Sequence, residues 1–251
     1  MIYYIKIMKK SKTRIFVNKS ISLNLMIYIK DKQHHFLKNV LRVKISDNIN
    51  IFDGLTGEWL TEVISINRNN TVLKVIKNVR QMNKSKDVWL IFSPIKQHRM
   101  YISIQKATEL GVSRIIPCIT EFTNIKISNL KNLQDNAIES AEQSDRLDIP
   151  KIEKQIPLES ILLNWPKERN ILYCNERLRN NESVFEKLSN LPKQNDKWAA
   201  LIGPEGGFSD KENDLISSND NVVSVSLGDK VLRSDTAITV SLFCIMQLLK
   251  S

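Results

Sequence analysis

Hydrophobic positions follow two successive patterns along the chain. Up to residue 77 they come in short, β-branched runs that alternate with polar residues. Thr13–Val17, Ile49–Phe52, Trp59–Ile66 and Thr71–Lys77 read as strands, with turns at Asp53-Gly54 and Asn69-Asn70. One short helix is predicted over Gln33–Leu41, where Phe36, Leu37, Val40 and Leu41 share a side. This describes a small β-rich module. The polar stretch Asn78–Asp87 reads as a linker.

Beyond it, strands and helices alternate. Strands are predicted at Val88–Phe92, Arg114–Ile119, Ile171–Cys174, Trp198–Ile202 and Val222–Leu227. Helices are predicted at His98–Leu110, Leu130–Ser144 and Glu182–Leu188, with another opening at Ser209-Asp210-Lys211-Glu212 and a last one over Asp235–Leu249. Such alternation predicts an α/β fold with a mainly parallel sheet. The last helix is apolar on nearly every side, so it is expected to be buried all round or to face a partner subunit. The expected division is residues 1–80 and 81–251.

Charge sharpens that division. Residues 1–85 carry 16 Lys and Arg against 5 Asp and Glu, a net +11; the remainder carry 21 against 22, a net −1. A general Lys-rich bias would load both parts alike. The asymmetry points to a polyanionic partner for the first part, nucleic acid before others. Cys118, Cys174 and Cys244 lie far apart among apolar residues with no metal-ligand spacing, which predicts reduced core thiols, no metal and a cytoplasmic protein. No apolar run reaches membrane-spanning length, so no membrane partner is expected. Met1–Ile7 is too short and poorly formed for a signal peptide, and the sequence leaves Met1 or Met8 open as the functional start.

The candidate chemistry lies in two late loops. The chain has seven glycines, and three of them fall within Gly203-Pro204-Glu205-Gly206-Gly207. This stretch sits between a buried strand and a helix start, the position at which α/β proteins bind ligands. The second loop, Gly228-Asp229-Lys230-Val231-Leu232-Arg233, again follows a strand and precedes a helix, with Ser234 as the expected N-cap and Asp235 in the first turn. Arg233 is a cation at the positive end of a helix, which calls for an external anion.

Taken together, Gly203-Pro204-Glu205-Gly206-Gly207-Phe208 and Leu227 through Ala237 resemble the paired signature of the SPOUT methyltransferases. Within them, the chain resembles the RsmE group, which methylates N3 of a uridine in 16S ribosomal RNA. Gln105-Lys106-Ala107-Thr108-Glu109-Leu110-Gly111-Val112, Ser140-Ala141-Glu142-Gln143-Ser144 and the segment His34 to Arg42 also match, in the right order. The resemblance implies a PUA-like β-barrel followed by a methyltransferase domain with a C-terminal trefoil knot, a homodimer, and S-adenosylmethionine as cofactor. It places Leu201, Gly203, Pro204, Glu205, Gly206, Gly207, Leu227, Gly228, Val231, Leu232, Ser234, Thr236 and Ala237 around that cofactor. For Glu205, pairing with a basic residue is the equal alternative. Arg233 is the catalytic candidate. Arg14, His34, His35, Lys38, Arg42, Lys44 and Arg146 are the expected contacts to the ribosomal RNA or the small subunit.

The chain departs from the group's pattern at three places. Ser234-Asp235 stands where Thr-Glu is usual, Asp145-Arg146 where Gly-Arg is frequent, and Glu121-Phe122-Thr123-Asn124 lacks a basic residue the group tends to keep. Two alternatives remain open on sequence: another SPOUT chemistry such as ribose 2′-O methylation, and a non-catalytic RNA-binding protein.

Overall fold

A computed structural model describes residues 11–178, 184–190 and 196–250. The Met1–Ile7 stretch and Met8 lie outside the described residues, as do Glu182 and Ser183 of one predicted helix. The chain forms two compact units, Met1–Lys84 with Glu142–Asp148, and Ser85–Ala141 with Ile149–Ser251.

The first unit contains β1 (Arg14–Phe16), β2 (Met26–Ile29), helix α1 (Asp31–His35, continued by a π-helical turn over Phe36–Val40), β3 (Asn48–Phe52), β4 (Glu58–Ile66) and β5 (Thr71–Arg80). They form one five-stranded sheet in the order β1-β3-β4-β5-β2, antiparallel except where β1 pairs β3. Strand alternation sets the core: Ile49 and Ile51 are fully buried while Asn48 and Asn50 are half-buried. Ile15, Ile27, Leu37, Val63 and Leu73 join them. The sequence reading lacked β2. It also assigned Asn78–Arg80 to the linker, whereas β5 continues through them, pairing Asn78 with Trp59 and Arg80 with Glu58.

The second unit contains β6 (Val88–Phe92), α2 (Gln97–Glu109), β7 (Arg114–Ile119), α3 (Leu130–Gln143), β8 (Lys151–Ile152), β9 (Ile156–Pro157), α4 (Leu158–Leu163), β10 (Asn170–Cys174), α5 (Val184–Ser189), β11 (Trp198–Ile202), α6 (Asp210–Ser217), β12 (Val222–Val225) and α7 (Ser234–Leu248). Every strand pair is parallel, in the order β12-β10-β11-β6-β7-β8, with β9 also pairing β7. Helices cover both faces, so the strands read as apolar runs. Trp198, Ala200 and Ile202 of β11 pack on one face with Ile104 and Ala107 of α2 and Ile238 and Leu242 of α7. Ala199 and Leu201 pack on the other with Leu158 of α4 and Ile216 of α6. The predicted all-round burial of α7 is incomplete within the chain, because Phe243 on this helix is 47% exposed.

At the N-terminal ends of these strands, Arg169 is buried and its guanidinium lies 3.6 Å from the centroid of the Trp89 ring. It donates to the Asp87 carboxylate at 2.5 Å and to the carbonyls of Asp87 and Trp198. Trp89 Nε1 and the Ser113 hydroxyl donate to the other Asp87 oxygen. Partial burial raises the Asp87 pKa. Arg169, through its hydrogen bond and its charge, together with these donors, outweighs burial and holds the carboxyl below its usual range.

Candidate functional site

The opposite, C-terminal ends of β10, β11 and β12 enclose an open cleft of about 720 Å³, its mouth included. The C-terminal end is where parallel α/β sheets bind their ligands. The two glycine loops form much of its wall. Gly203, Pro204 and Gly207 come from the first, and Leu227, Gly228, Val231 and Leu232 from the second and its approach; Ser234 and Ala237 follow on α7.

The glycines of the two loops have different physical causes. A Cβ on Gly203 would lie 2.8 Å from the Phe208 ring, so this glycine makes room for a buried side chain. Gly207 adopts φ +71°, and a Cβ there would lie 2.9 Å from Glu176 Oε1. Gly228 adopts φ +117° and has nothing within 4 Å of the Cβ position. The second loop therefore leaves open space where a side chain would stand.

The resemblance placed four further residues around the cofactor that do not line this cleft. Leu201 is fully buried on the far face of β11, because successive strand residues point opposite ways; its neighbour Ile202 lines the cleft instead. Glu205 is exposed and lies 3.6 Å from Arg99 Nη1, the ion-pair alternative. Gly206 is exposed and faces Phe122. Thr236, two residues after Ser234, falls on another side of α7 and is exposed. Ser234 is also not the N-cap. The helix begins with it, Arg233 occupies the cap position, and the Ser234 hydroxyl donates to the Gly203 carbonyl at 3.2 Å, joining the two loops. Arg233 is exposed, and among the described residues its guanidinium makes no hydrogen bond or ion pair.

The sequence reading missed the contribution of β10. Tyr173, Cys174, Asn175, Glu176 and Arg177 line the cleft, a strand end without a glycine to announce it. Burial pushes the Tyr173 phenol up to about 12, and it donates to Asn213 Oδ1 at 2.5 Å. Burial likewise pushes the Cys174 thiol up to about 12. Neither group serves as a base near neutral pH. Glu176 is the one carboxylate among the described lining residues, and Arg177 is tied to Asp210 at 2.8 Å.

The expected RNA contacts separate into two groups. His35, Arg42 and Lys44 are exposed; Lys38 is half-exposed and donates to the Asn67 carbonyl at 3.0 Å. Arg14, His34 and Arg146 are instead buried or nearly so, with their polar groups engaged inside the first unit. Arg14 donates to Glu58 Oε1 at 2.8 Å and to the carbonyls of Glu142 and Arg146, with its guanidinium 4.7 Å from the Phe52 ring centroid. His34 Nε2 donates to the Arg68 carbonyl, which leaves Nδ1 facing the Thr71 hydroxyl at 2.9 Å. Arg146 pairs with Asp148 at 2.9 Å. Sequence shows the charge of these residues but not the long-range partners that absorb it.

The walls suit an adenosine-containing cofactor: apolar Ile202, Leu227, Val231 and Leu232 for a flat ring, and open backbone at Gly228. Comparison with known proteins agrees. Residues 82–246 match the family described as RNA methyltransferase domain, and residues 29–76 match the RNA methyltransferase PUA domain. A ribosomal RNA small subunit methyltransferase E of Rickettsia conorii is 34% identical over 226 residues, covering 89% of this chain and 91% of its own. Two solved structures share the fold at 24% identity. One is a ribosomal RNA small subunit methyltransferase E from Neisseria gonorrhoeae bound to S-adenosyl methionine (TM-score 0.82, covering 94% and 97% of the two chains). The other is a putative methyltransferase from Legionella pneumophila in complex with the same cofactor (TM-score 0.84, covering 95% and 98%). The α/β fold with its parallel sheet and the PUA module are thus as the sequence resemblance implied. With a family match over most of the second unit and a 34% identical relative aligned across nearly its full length, this chain belongs to the ribosomal RNA small subunit methyltransferase E family.

Proposed function

We propose that this chain transfers the methyl group of S-adenosylmethionine to N3 of a uridine in small-subunit ribosomal RNA. The observation that carries this is the joint wall of the cleft. Two glycine loops linked by Ser234 end on the parallel sheet of a chain from this family. Ile202, Leu227, Val231 and Leu232 would flank the adenine, and the open backbone at Gly228 would admit the rest of the cofactor. When bound, the cofactor supplies an electrophilic methyl group on a sulfonium. The residues hold the uracil ring in line with it, which accounts for much of the rate. N3 must give up its proton, which solvent water takes, and the exposed guanidinium of Arg233, set at the positive end of α7, stabilises the resulting anion.

The first unit supplies the electrostatic attraction. Arg42, Lys44, Lys38 and His35 contact RNA phosphates without reading bases. The apolar surface of α7 left open at Phe243 and partly open at Val240, Met246 and Leu248 supports a homodimer in which a second copy covers it. Among the described residues no helix is long and apolar enough to cross a membrane. The free thiols of Cys118, Cys174 and Cys244 support a cytoplasmic location.

Mass spectrometry of ribosomal nucleosides from a strain lacking the protein tests the reading. Loss of 3-methyluridine from the small subunit, restored by the intact gene, is expected. Loss of a ribose-methylated nucleoside instead would replace the N3 assignment. Unchanged nucleosides, with no cofactor binding by calorimetry, would leave a non-catalytic RNA-binding protein.

A further inference from the structure

We propose that Phe122 is the platform on which the extruded uracil ring stacks during the reaction, an inference that rests on the function proposed above. Phe122 lies three residues past the end of β7, at the ligand-binding end of the sheet, and is 42% exposed despite its apolar ring. It stands against the first glycine loop, where a Cβ on Gly206 would lie 3.4 Å from the Phe122 Cβ. Gly207, the next residue, already lines the cleft.

The turn that carries this ring is tied down on two sides. Thr123 N–H donates to the Thr120 carbonyl at 3.0 Å, and Thr120 N–H donates back to Thr123 Oγ1 at 2.8 Å. The hydroxyl of Ser93, just beyond β6, lies 2.7 Å from the same Thr123 oxygen. On the other side Glu121 N–H donates to Glu212 Oε1 at 2.8 Å, while Glu212 Oε2 accepts the Ser209 N–H at the start of α6. Those hydrogen bonds fix the backbone from β6 to α6, around the first loop, and leave the ring presented outward.

The chemistry of the substrate fits this placement. N3 of a paired uridine is occupied, so the base must leave its stack before it can react. Splayed bases are held by stacking on aromatic side chains, which replaces the stacking they lose. A protein partner fits less well. Glu121 and Asn124, which flank the turn that carries the ring, are exposed and polar, whereas charge is depleted at the core of an interface.

The test uses the full-length protein and small ribosomal subunits from a strain lacking it. Calorimetry gives cofactor affinity, steady-state methylation gives kcat and KM for the subunits, and sedimentation gives oligomeric state. Phe122→Ala and Phe122→Leu are each expected to lose about ten- to a hundredfold in kcat/KM, the worth of one stacked base. Cofactor affinity and oligomeric state should stay as in wild type. Phe122→Tyr is expected to retain activity, since it keeps an aromatic face. Full activity of Phe122→Leu would show that the ring merely packs on Gly206 and would overturn the inference. So would parallel loss of cofactor binding or of the dimer in Phe122→Ala, or failure of Phe122→Tyr to retain activity. A wild-type protein that binds cofactor but leaves the subunits unmethylated would overturn the proposed function, and with it this inference. An active wild type with an unimpaired Phe122→Ala would overturn the inference alone.

Discussion

The two ends of the parallel sheet are built from the same strands and differ in almost everything else. At the N-terminal ends, Arg169, Asp87, Trp89 and Ser113 meet side chain to side chain, and both carboxylate oxygens of Asp87 have donors. At the C-terminal ends, glycines sit at φ +71° and +117°, Arg233 stands exposed, and Gly228 borders empty space. Groups that satisfy each other hold a fold together; groups left open are free for a ligand. Stability and binding should therefore respond to separate sets of substitutions.

The largest effect is expected at the holding end. Arg169→Ala removes a buried guanidinium that donates to the Asp87 carboxylate and to two carbonyls and covers Trp89, and should lower unfolding free energy by about 3 kcal/mol, roughly one per lost hydrogen bond. Denaturant titration measures this. Cofactor affinity by calorimetry should stay within about twofold (~0.4 kcal/mol) of wild type, and a matching fall in affinity would break the separation of the two ends.

Gly228→Val should act in the opposite sense. A side chain there fills the open space, and weakening of cofactor binding beyond about a hundredfold, roughly 2.7 kcal/mol, is expected in calorimetry. Its positive φ adds a stability loss of about 1–3 kcal/mol for a β-branched residue. Gly206→Val is the control from the other loop. Gly206 does not line the cleft, so its cofactor affinity should remain within about threefold (~0.6 kcal/mol) of wild type.

Arg233→Ala should cut single-turnover methylation by on the order of a hundredfold, as for loss of one electrostatic stabiliser, with cofactor affinity and melting temperature nearly unchanged. If affinity falls with turnover, the guanidinium serves the cofactor carboxylate. If melting temperature alone falls, it belongs with the holding groups.

The smallest effect tests the Asp87 carboxyl by pH. Its pKa is lowered in the folded protein, so its stabilisation is complete above the ordinary Asp range and is lost as pH falls through the folded value. Because the side chain is 46% exposed, Asp87→Asn should cost only about 1 kcal/mol at pH 7. Stability curves of wild type and variant should converge as pH falls below about 4.

The parallel unit was legible because its strands are continuous apolar runs closed by glycine loops; β11 and the first loop are the clearest case. Its short β8, β9 and α4 were not: β8 and β9 have two residues each, and α4 begins at the residue after β9, with no loop signal to part them. In the first unit no glycine or proline precedes Gly54. Asn24, Asp31, Arg42 and Ser46 turn the chain there instead, with φ between +49° and +68°, so β2 had no visible turn signal beside it. Loop positions of the cleft were legible as glycines, whereas the β10 wall was not. Nothing local in Tyr173 or Glu176 tells that their strand lies between β11 and β12.

The hydroxyl of Ser234 also bears on motion. Its hydrogen bond to Gly203 joins a loop from one strand crossover to the first turn of the helix closing the next. Lifting the second loop therefore breaks a contact of the first, which couples the opening of the two loops by about 1 kcal/mol. Amide protons on both sides of the cleft, at Gly207 and at Gly228, are then expected to respond together when either loop is stabilised. Anything that clamps either side slows hydrogen exchange on both.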